Sequence, residues 1–415
     1  MKEAYTITSP KTLRATINLP ASKSISNRAL ILRALAHGKL PINNLADCDD
    51  TMVIIKAFHE GNEIIDIKAA GTAMRFLTAF YSTQPGTHIL TGTERMKQRP
   101  ISILVDALRL LGANIEYVEH EGYPPLRIKG AQLQSKELTL TGNVSSQYIS
   151  ALLMIAPTLA QGLTLKLTGK VTSLPYIDMT MQLMKDFGAI AYRDNLQDPM
   201  TICVQSGSYL DIPYIIENDW SAASYWYEMV ALSQDSQAQV TMPHLKKDST
   251  QGDCKGAELF SLLGVQTDYT EEGICVYKQG KLPLRLDADL REIPDLAQTF
   301  VVTCCTLGIP FRFSGLHTLR IKETDRINAL INELHKLGFV LYAEDDNALR
   351  WDGERCREEE HPVIATYDDH RMAMAFAPVS LKLPNITIEH PEVVSKSYPH
   401  FWEDLQQVGF IIMDR

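Results

Sequence analysis

One short pattern recurs along this 415-residue chain and constrains its fold more than any other feature: an amphipathic helical run, a glycine, then an apolar strand start. It reads Ala57-Phe58-His59-Glu60-Gly61, Leu110-Leu111-Gly112-Ala113-Asn114-Ile115 and Met184-Lys185-Asp186-Phe187-Gly188-Ala189-Ile190. Later copies are Leu262-Leu263-Gly264-Val265, His335-Lys336-Leu337-Gly338-Phe339-Val340 and Gln407-Val408-Gly409-Phe410-Ile411-Ile412. Glycine at such a junction supplies the left-handed conformation that stops a helix without a Cβ penalty. After the first interval the glycines lie about 71 to 76 residues apart. One helix–glycine–strand junction is unremarkable in an α/β protein, but near-constant spacing over most of a chain signals internal duplication. Six units divide naturally as three plus three. Each is too large for a solenoid repeat and too small to fold alone. The expected architecture is therefore α/β, with two similar lobes of three copies each.

The length also favours two domains, and a 45% hydrophobic, 22% charged composition suits a globular chain. No run of 18 apolar residues is present to span a membrane. Met1-Lys2-Glu3-Ala4-Tyr5-Thr6-Ile7-Thr8 alternates like a strand and lacks signal or transit character, so a cytoplasmic location is expected. The seven cysteines have no paired spacing, and Cys304-Cys305 read as core residues within an apolar run. Cys-x-x-Cys, His-Glu-x-x-His and Walker patterns are absent, so no cofactor is expected. Asp368-Asp369-His370 offers metal-ligand types, but the adjacent Arg371 opposes a bound cation, and no metal is expected. Between the third and fourth units, residues 211–218 read as an extended connection, after which Asp219 caps a helix.

The chemistry-bearing residues cluster at helix starts. Ser22-Lys23-Ser24-Ile25-Ser26-Asn27-Arg28 follows Leu19-Pro20 and opens into an apolar helix, where free N–H groups and the positive dipole end favour an anion. Gly71-Thr72-Ala73-Met74-Arg75 and Arg95-Met96-Lys97-Gln98-Arg99-Pro100 repeat the theme. So do Ser145-Ser146-Gln147, Arg320-Ile321-Lys322-Glu323-Thr324-Asp325-Arg326, Asp368-Asp369-His370-Arg371 and Ser395-Lys396-Ser397. The net charge is −10, so these cations are local clusters rather than a basic coat. They suit a small polyanion better than a nucleic acid.

Jointly and in this order, these motifs resemble those of the enolpyruvyl transferase family, from Leu19-Pro20 to Ser395-Lys396-Ser397-Tyr398-Pro399. The resemblance implies transfer of the enolpyruvyl group of phosphoenolpyruvate to the 5-hydroxyl of shikimate 3-phosphate, with release of phosphate through a tetrahedral intermediate. It implies two lobes of three βαβαββ units each, with the active site in the interdomain cleft. It also implies a chain that crosses twice, so that residues 1–20 and 218–415 form one lobe and 21–217 the other. The small-molecule substrates are the expected partners, with no nucleic acid and no membrane, and a monomer is expected.

By the same resemblance, shikimate 3-phosphate is held by Lys23, Ser24, Arg28, Ser145, Ser146, Gln147, Ser173, Tyr176, Asp295, Thr318 and Lys322. Phosphoenolpyruvate is held by Lys23, Gly71, Arg95, Gln147, Arg326, Arg371 and Lys396. Asp295 is expected at the attacking hydroxyl and Glu323 at the methylene carbon, with Lys23 as a shuttle. From the residues alone, Ser145 and Ser146 read equally as helix caps, Tyr176 as a packing aromatic, and Glu323 as a partner of Lys322 or Arg326. His370 has two readings of equal weight, contact with the phosphate site or support of Asp369 and Arg371. The chain departs from the common pattern at Ala69, Phe76 and Thr318, which bears on affinity for phosphoenolpyruvate and its analogues. The alternative is the branch that uses UDP-N-acetylglucosamine as acceptor. That branch carries a loop cysteine, and none occurs in residues 92–97.

Overall fold

The computed structural model describes residues 4–169, 171, 173–194 and 200–415. The chain divides into two compact units, one of residues 1–20 and 217–415, the other of residues 21–216. Each has its own apolar core. The expected first strand is present as Ala4–Thr8, Met1 to Glu3 lying outside the described residues.

All six repeat glycines have left-handed backbone, with φ of 58° at Gly61, 95° at Gly112, 84° at Gly188, 78° at Gly264, 84° at Gly338 and 96° at Gly409. Each follows a helix, and a strand follows each glycine. Among the described residues the strands form five four-stranded sheets with one shared pattern, a parallel pair extended by two antiparallel strands. In the 21–216 unit, Ile64–Asp66 runs parallel to Thr87–Thr91, which pairs antiparallel with Leu126–Lys129, itself antiparallel to the edge strand Asn114–Tyr117. Glu137–Thr141, Leu163–Thr168, Met200–Val204 and Ala191–Asp194 repeat that order.

The other unit contains three such sheets, two of them completed by the N-terminal segment. Arg14–Thr16 pairs parallel with Gln239–Pro243. Ala4–Thr8 lies between Ile386–Glu389 and Ile411–Asp414, antiparallel to both. The third sheet, Leu286–Asp289, Phe311–Ser314, Ala348–Trp351 and Tyr342–Glu344, is local in sequence.

The sixth sheet is abbreviated. Ile42–Asn43 pairs parallel with Tyr214–Ile215 and, among the described residues, has no further strand. After Gly61 the chain proceeds directly to Ile64–Asp66, the first strand of the next sheet, without the antiparallel hairpin that follows the next four repeat glycines; after Gly409 the single strand Ile411–Asp414 takes Ala4–Thr8 as its antiparallel partner instead. The omission shortens the first glycine interval to 51 residues.

The repeat glycines differ in what surrounds them. A Cβ on Gly61 would meet nothing within 4 Å, whereas one on Gly188 would lie 2.7 Å from the Leu210 side chain. Gly61→Ala is therefore expected to lower stability only by the left-handed strain, about 1 to 2 kcal/mol. Gly188→Ala should lower it by more, because strain and overpacking combine. Urea denaturation of the two variants checks this order.

Candidate functional site

In the 21–216 unit, four helices start together. They are Lys23–Leu35, Gly71–Thr83, Ser146–Ile155 and Leu174–Asp186. At the first turn, Gln147 Nε2 donates to Thr72 Oγ1 at 3.1 Å. One turn deeper lies the buried Arg28 guanidinium. Its Nε donates to Thr180 Oγ1 at 2.7 Å, Nη2 to Ser150 Oγ at 3.2 Å and Nη1 to the Ser24 carbonyl at 2.8 Å. The rings of Phe76 and Tyr176 lie 5.2 Å and 6.0 Å from the guanidinium carbon. These contacts come from the first or second turn of each helix, so the four positive dipole ends face one region. Burial lowers the Arg28 pKa to about 10, because its partners are hydroxyls, a carbonyl and aromatic faces rather than carboxylates.

Most residues expected at shikimate 3-phosphate in this unit fall on these helix starts. Lys23 and Ser24 open the first helix, with Lys23 Nζ 3.3 Å from Asp50. Ser26 and Asn27 of the same motif turn inward, Ser26 Oγ accepting the Ala46 N–H and Asn27 Oδ1 accepting the Thr51 hydroxyl. Ser145 is the cap of its helix, its Oγ accepting the Gln147 N–H at 3.3 Å, and Ser146 is the first residue after it. Ser173 caps the last helix with left-handed backbone, φ 53°, and Tyr176 stands half-buried in its first turn.

The cations of residues 95–100 are placed differently from one another. Arg95 is exposed on the short helix Glu94–Lys97. Arg99 instead lies against Gly71, where a Cβ would come within 2.6 Å of its guanidinium. A side chain at position 71 would thus displace the Arg99 guanidinium from where it stands, and the sequence did not assign Arg99 to a substrate. Arg75 is buried, donating to the Gly71 and Pro100 carbonyls at 3.2 Å and 3.1 Å, and so ties this helix start to the segment that carries Arg99.

In the other unit a charge network gathers residues from distant motifs. Arg326, only 1% exposed, begins the helix Arg326–Lys336. Its Nε lies 2.7 Å from Asp369 Oδ2, Nη1 3.3 Å from Asp295 Oδ1 and Nη2 3.0 Å from Glu323 Oε2. Arg371 Nη2 donates to Asp295 Oδ2 at 2.8 Å, and Lys396 Nζ to Glu323 Oε1 at 2.9 Å. Lys322 Nζ is 3.6 Å from Asp295 Oδ1. Both expected catalytic carboxylates therefore share one guanidinium, and each has a second cation on its other oxygen. Burial opposes the Arg326 charge, yet Asp369, Glu323 and Asp295 outweigh it and hold its pKa above the ordinary value. Lys322 is shifted the other way, chiefly by burial, against the pull of Asp295.

Asp369 also caps the helix His370–Phe376, accepting the Arg371 N–H at 2.9 Å. His370 is buried, its Nδ1 3.6 Å from Asp369 Oδ1. Thr318 precedes the single turn Leu319–Ile321. Among the described residues no group of three His, Cys, Asp or Glu side chains is arranged to hold a metal. Among the described residues no helix is long and apolar enough to cross a membrane.

Asp253 was not expected at this site. It is buried beside the start of the helix Trp220–Leu232, where one carboxylate oxygen accepts the Ser221 hydroxyl. Burial and the neighbouring Asp295 charge raise its pKa to about 7, against the opposing pull of Arg371.

The family model described as EPSP synthase (3-phosphoshikimate 1-carboxyvinyltransferase) matches residues 7–60 and 54–405. A Bacteroides fragilis protein named 3-phosphoshikimate 1-carboxyvinyltransferase is 59% identical over 406 residues, covering 98% of each chain. A Vibrio cholerae protein of the same name is 35% identical over 436 residues, covering 98% of this chain and all of its own. The solved EPSP synthase of Acinetobacter baumannii superposes with a TM-score of 0.77 at 19% identity, over 99% of this chain and 100% of that one, which shows the shared fold.

The Asp253 environment predicts a stability dependence on pH. Its raised folded pKa means that its contribution is full below the ordinary carboxylate value and is lost as the pH climbs through about 7. Asp253→Asn removes this titration. Thermal midpoints measured from pH 4 to pH 8 should therefore fall less steeply in the variant than in the parent.

Proposed function

We propose that this chain, a member of the EPSP synthase (3-phosphoshikimate 1-carboxyvinyltransferase) family, transfers the enolpyruvyl group of phosphoenolpyruvate to the 5-hydroxyl of shikimate 3-phosphate. The observation that best supports this is the joining of Asp295 and Glu323 to four cations through Arg326. The reaction needs such a set: two groups that handle protons and fixed positive charge for an anionic donor and a phosphate leaving group.

In the reading we favour, the 5-hydroxyl oxygen attacks C2 of phosphoenolpyruvate and its proton passes to Asp295. C3 receives a proton from Glu323, giving the tetrahedral intermediate. C3 then returns a proton as the C2–O bond to phosphate breaks, so enolpyruvyl ether and inorganic phosphate are the products. Arg326, Arg371 and Lys396 hold phosphoenolpyruvate. An incoming carboxylate or phosphate competes with Asp295 and Glu323 for these cations, and each carboxylate that loses a cation becomes more basic. Donor binding would thus ready the two groups for their proton transfers.

On the 21–216 unit, Lys23, Ser24, Ser145, Ser146, Gln147, Ser173 and Tyr176 hold shikimate 3-phosphate, using helix starts that favour phosphate. Arg28 supports this set from beneath, where it is buried and three of its five N–H donors bind Thr180, Ser150 and Ser24. Arg99 takes the donor-binding role expected of Arg95, since it is the guanidinium that lies at Gly71.

Phosphate release from phosphoenolpyruvate, measured with shikimate 3-phosphate, with UDP-N-acetylglucosamine and with neither, tests the reading. Release should require shikimate 3-phosphate. Glu323→Gln should lower turnover about a hundredfold or more while both substrates still bind, and should suppress solvent deuterium exchange into C3. Turnover and exchange at parental rates would remove Glu323 from the chemistry.

Arg99→Ala should raise the KM for phosphoenolpyruvate about tenfold or more, the scale of a lost charged hydrogen bond. Arg95→Ala should leave it within about twofold, as for an exposed charge. The opposite order would return the role to Arg95.

A further inference from the structure

The loop that leads into Asp369 and the helix bearing Arg371 is backbone-strained and is gripped twice by one helix. Tyr367 and Asp368 are consecutive non-glycine residues with left-handed backbone, φ 54° at each. That conformation is unfavourable for L-residues and persists only where the surroundings over-determine it. Asp369 returns the chain to the helix, its N–H donating to the Thr366 carbonyl at 2.9 Å.

Both grips come from the helix Arg326–Lys336. At its start Arg326 binds Asp369. Seven residues later, on the same face, Glu333 is fully buried. Its Oε1 accepts the Tyr367 hydroxyl at 2.6 Å, and its Oε2 accepts the Ala365 N–H at 3.0 Å. Lys336 Nζ donates to the same Oε2 at 2.7 Å and to the Val363 carbonyl at 2.8 Å. A carboxylate this deeply buried is tolerated only with both oxygens satisfied, and each partner here lies in or beside residues 363–367 or on the helix itself. Burial, reinforced by the bond to Glu333, raises the Tyr367 pKa to about 12, so the hydroxyl remains a donor throughout the neutral range.

We propose that Glu333 and Tyr367 form a latch that holds residues 365–368 in their strained path and thereby sets the positions of Asp369 and Arg371 for the phosphoenolpyruvate step. They are positioning residues, acting through Arg371 and through the Asp369–Arg326 pair. The proposal rests on the enolpyruvyl transfer argued above for its kinetic arm, but not for its structural arm.

The full-length parent, Tyr367→Phe, Glu333→Gln and the double variant are compared. Tyr367→Phe keeps the ring and removes only the hydroxyl. It should raise the KM for phosphoenolpyruvate about threefold to tenfold while leaving the KM for shikimate 3-phosphate unchanged. Its thermal midpoint should stay within about 4 °C of the parent. The double variant should be no worse than the worse single, because both break one link. Hydrogen exchange of peptides spanning residues 365–372 needs no turnover and should quicken in Tyr367→Phe. Unchanged exchange, parental kinetics, a parallel rise in both KM values, or additive effects in the double variant would each overturn the latch. A parent that transfers no enolpyruvyl group would sink the functional reading, leaving the exchange measurement to decide the latch.

Discussion

Arg326 is the interaction on which the charged half of this protein depends. A guanidinium withdrawn from water needs anions within hydrogen-bond reach, and this one has three, each from a different part of the chain. The planar fork of arginine offers donors in fixed directions, so it dictates where Asp295, Glu323 and Asp369 stand relative to one another. Without it, three carboxylates would repel one another in a poorly solvated space. Lysine at this position would supply the charge but not the geometry.

The other unit solves the same problem differently. Arg28 is equally buried, yet its neighbours are two hydroxyls, a carbonyl and two aromatic faces. With no carboxylate spent on it, its charge adds to that of the helix starts above. The opposite pKa shifts of the two arginines record this contrast, upward for Arg326 and downward for Arg28. One arginine gathers acids around itself; the other reinforces helix starts that favour an anion.

Much of this was legible in the sequence, because it depends on local rules. A helix that must stop before a strand needs a left-handed residue, and all six glycines read as stops have that backbone. The helix-start motifs were recognisable because free N–H groups and short hydroxyl side chains go together. What escaped was set by packing between distant segments. Arg95 and Arg99 stand four residues apart with the same charge, and only the fold brings Arg99 to Gly71. Arg28 sits in a conspicuous motif, but its direction depends on Thr180 and Ser150, far along the chain. Asp253 carries no marker of its burial, and its proton affinity comes from that burial and from Asp295. The abbreviated repeat showed only as one short glycine interval, since an absent hairpin leaves no residues to read.

The strand pairings also order events during synthesis on the ribosome. Ile42–Asn43 finds its partner in Tyr214–Ile215, so the 21–216 unit has every strand it needs once that segment has emerged. Ala4–Thr8 leaves the exit tunnel well before its partners Ile386–Glu389 and Ile411–Asp414 are made. This early strand is therefore among the last to be paired. Its alternating Tyr5 and Ile7 remain open to intermolecular pairing throughout translation, the kind of unprotected edge that folding helpers shield.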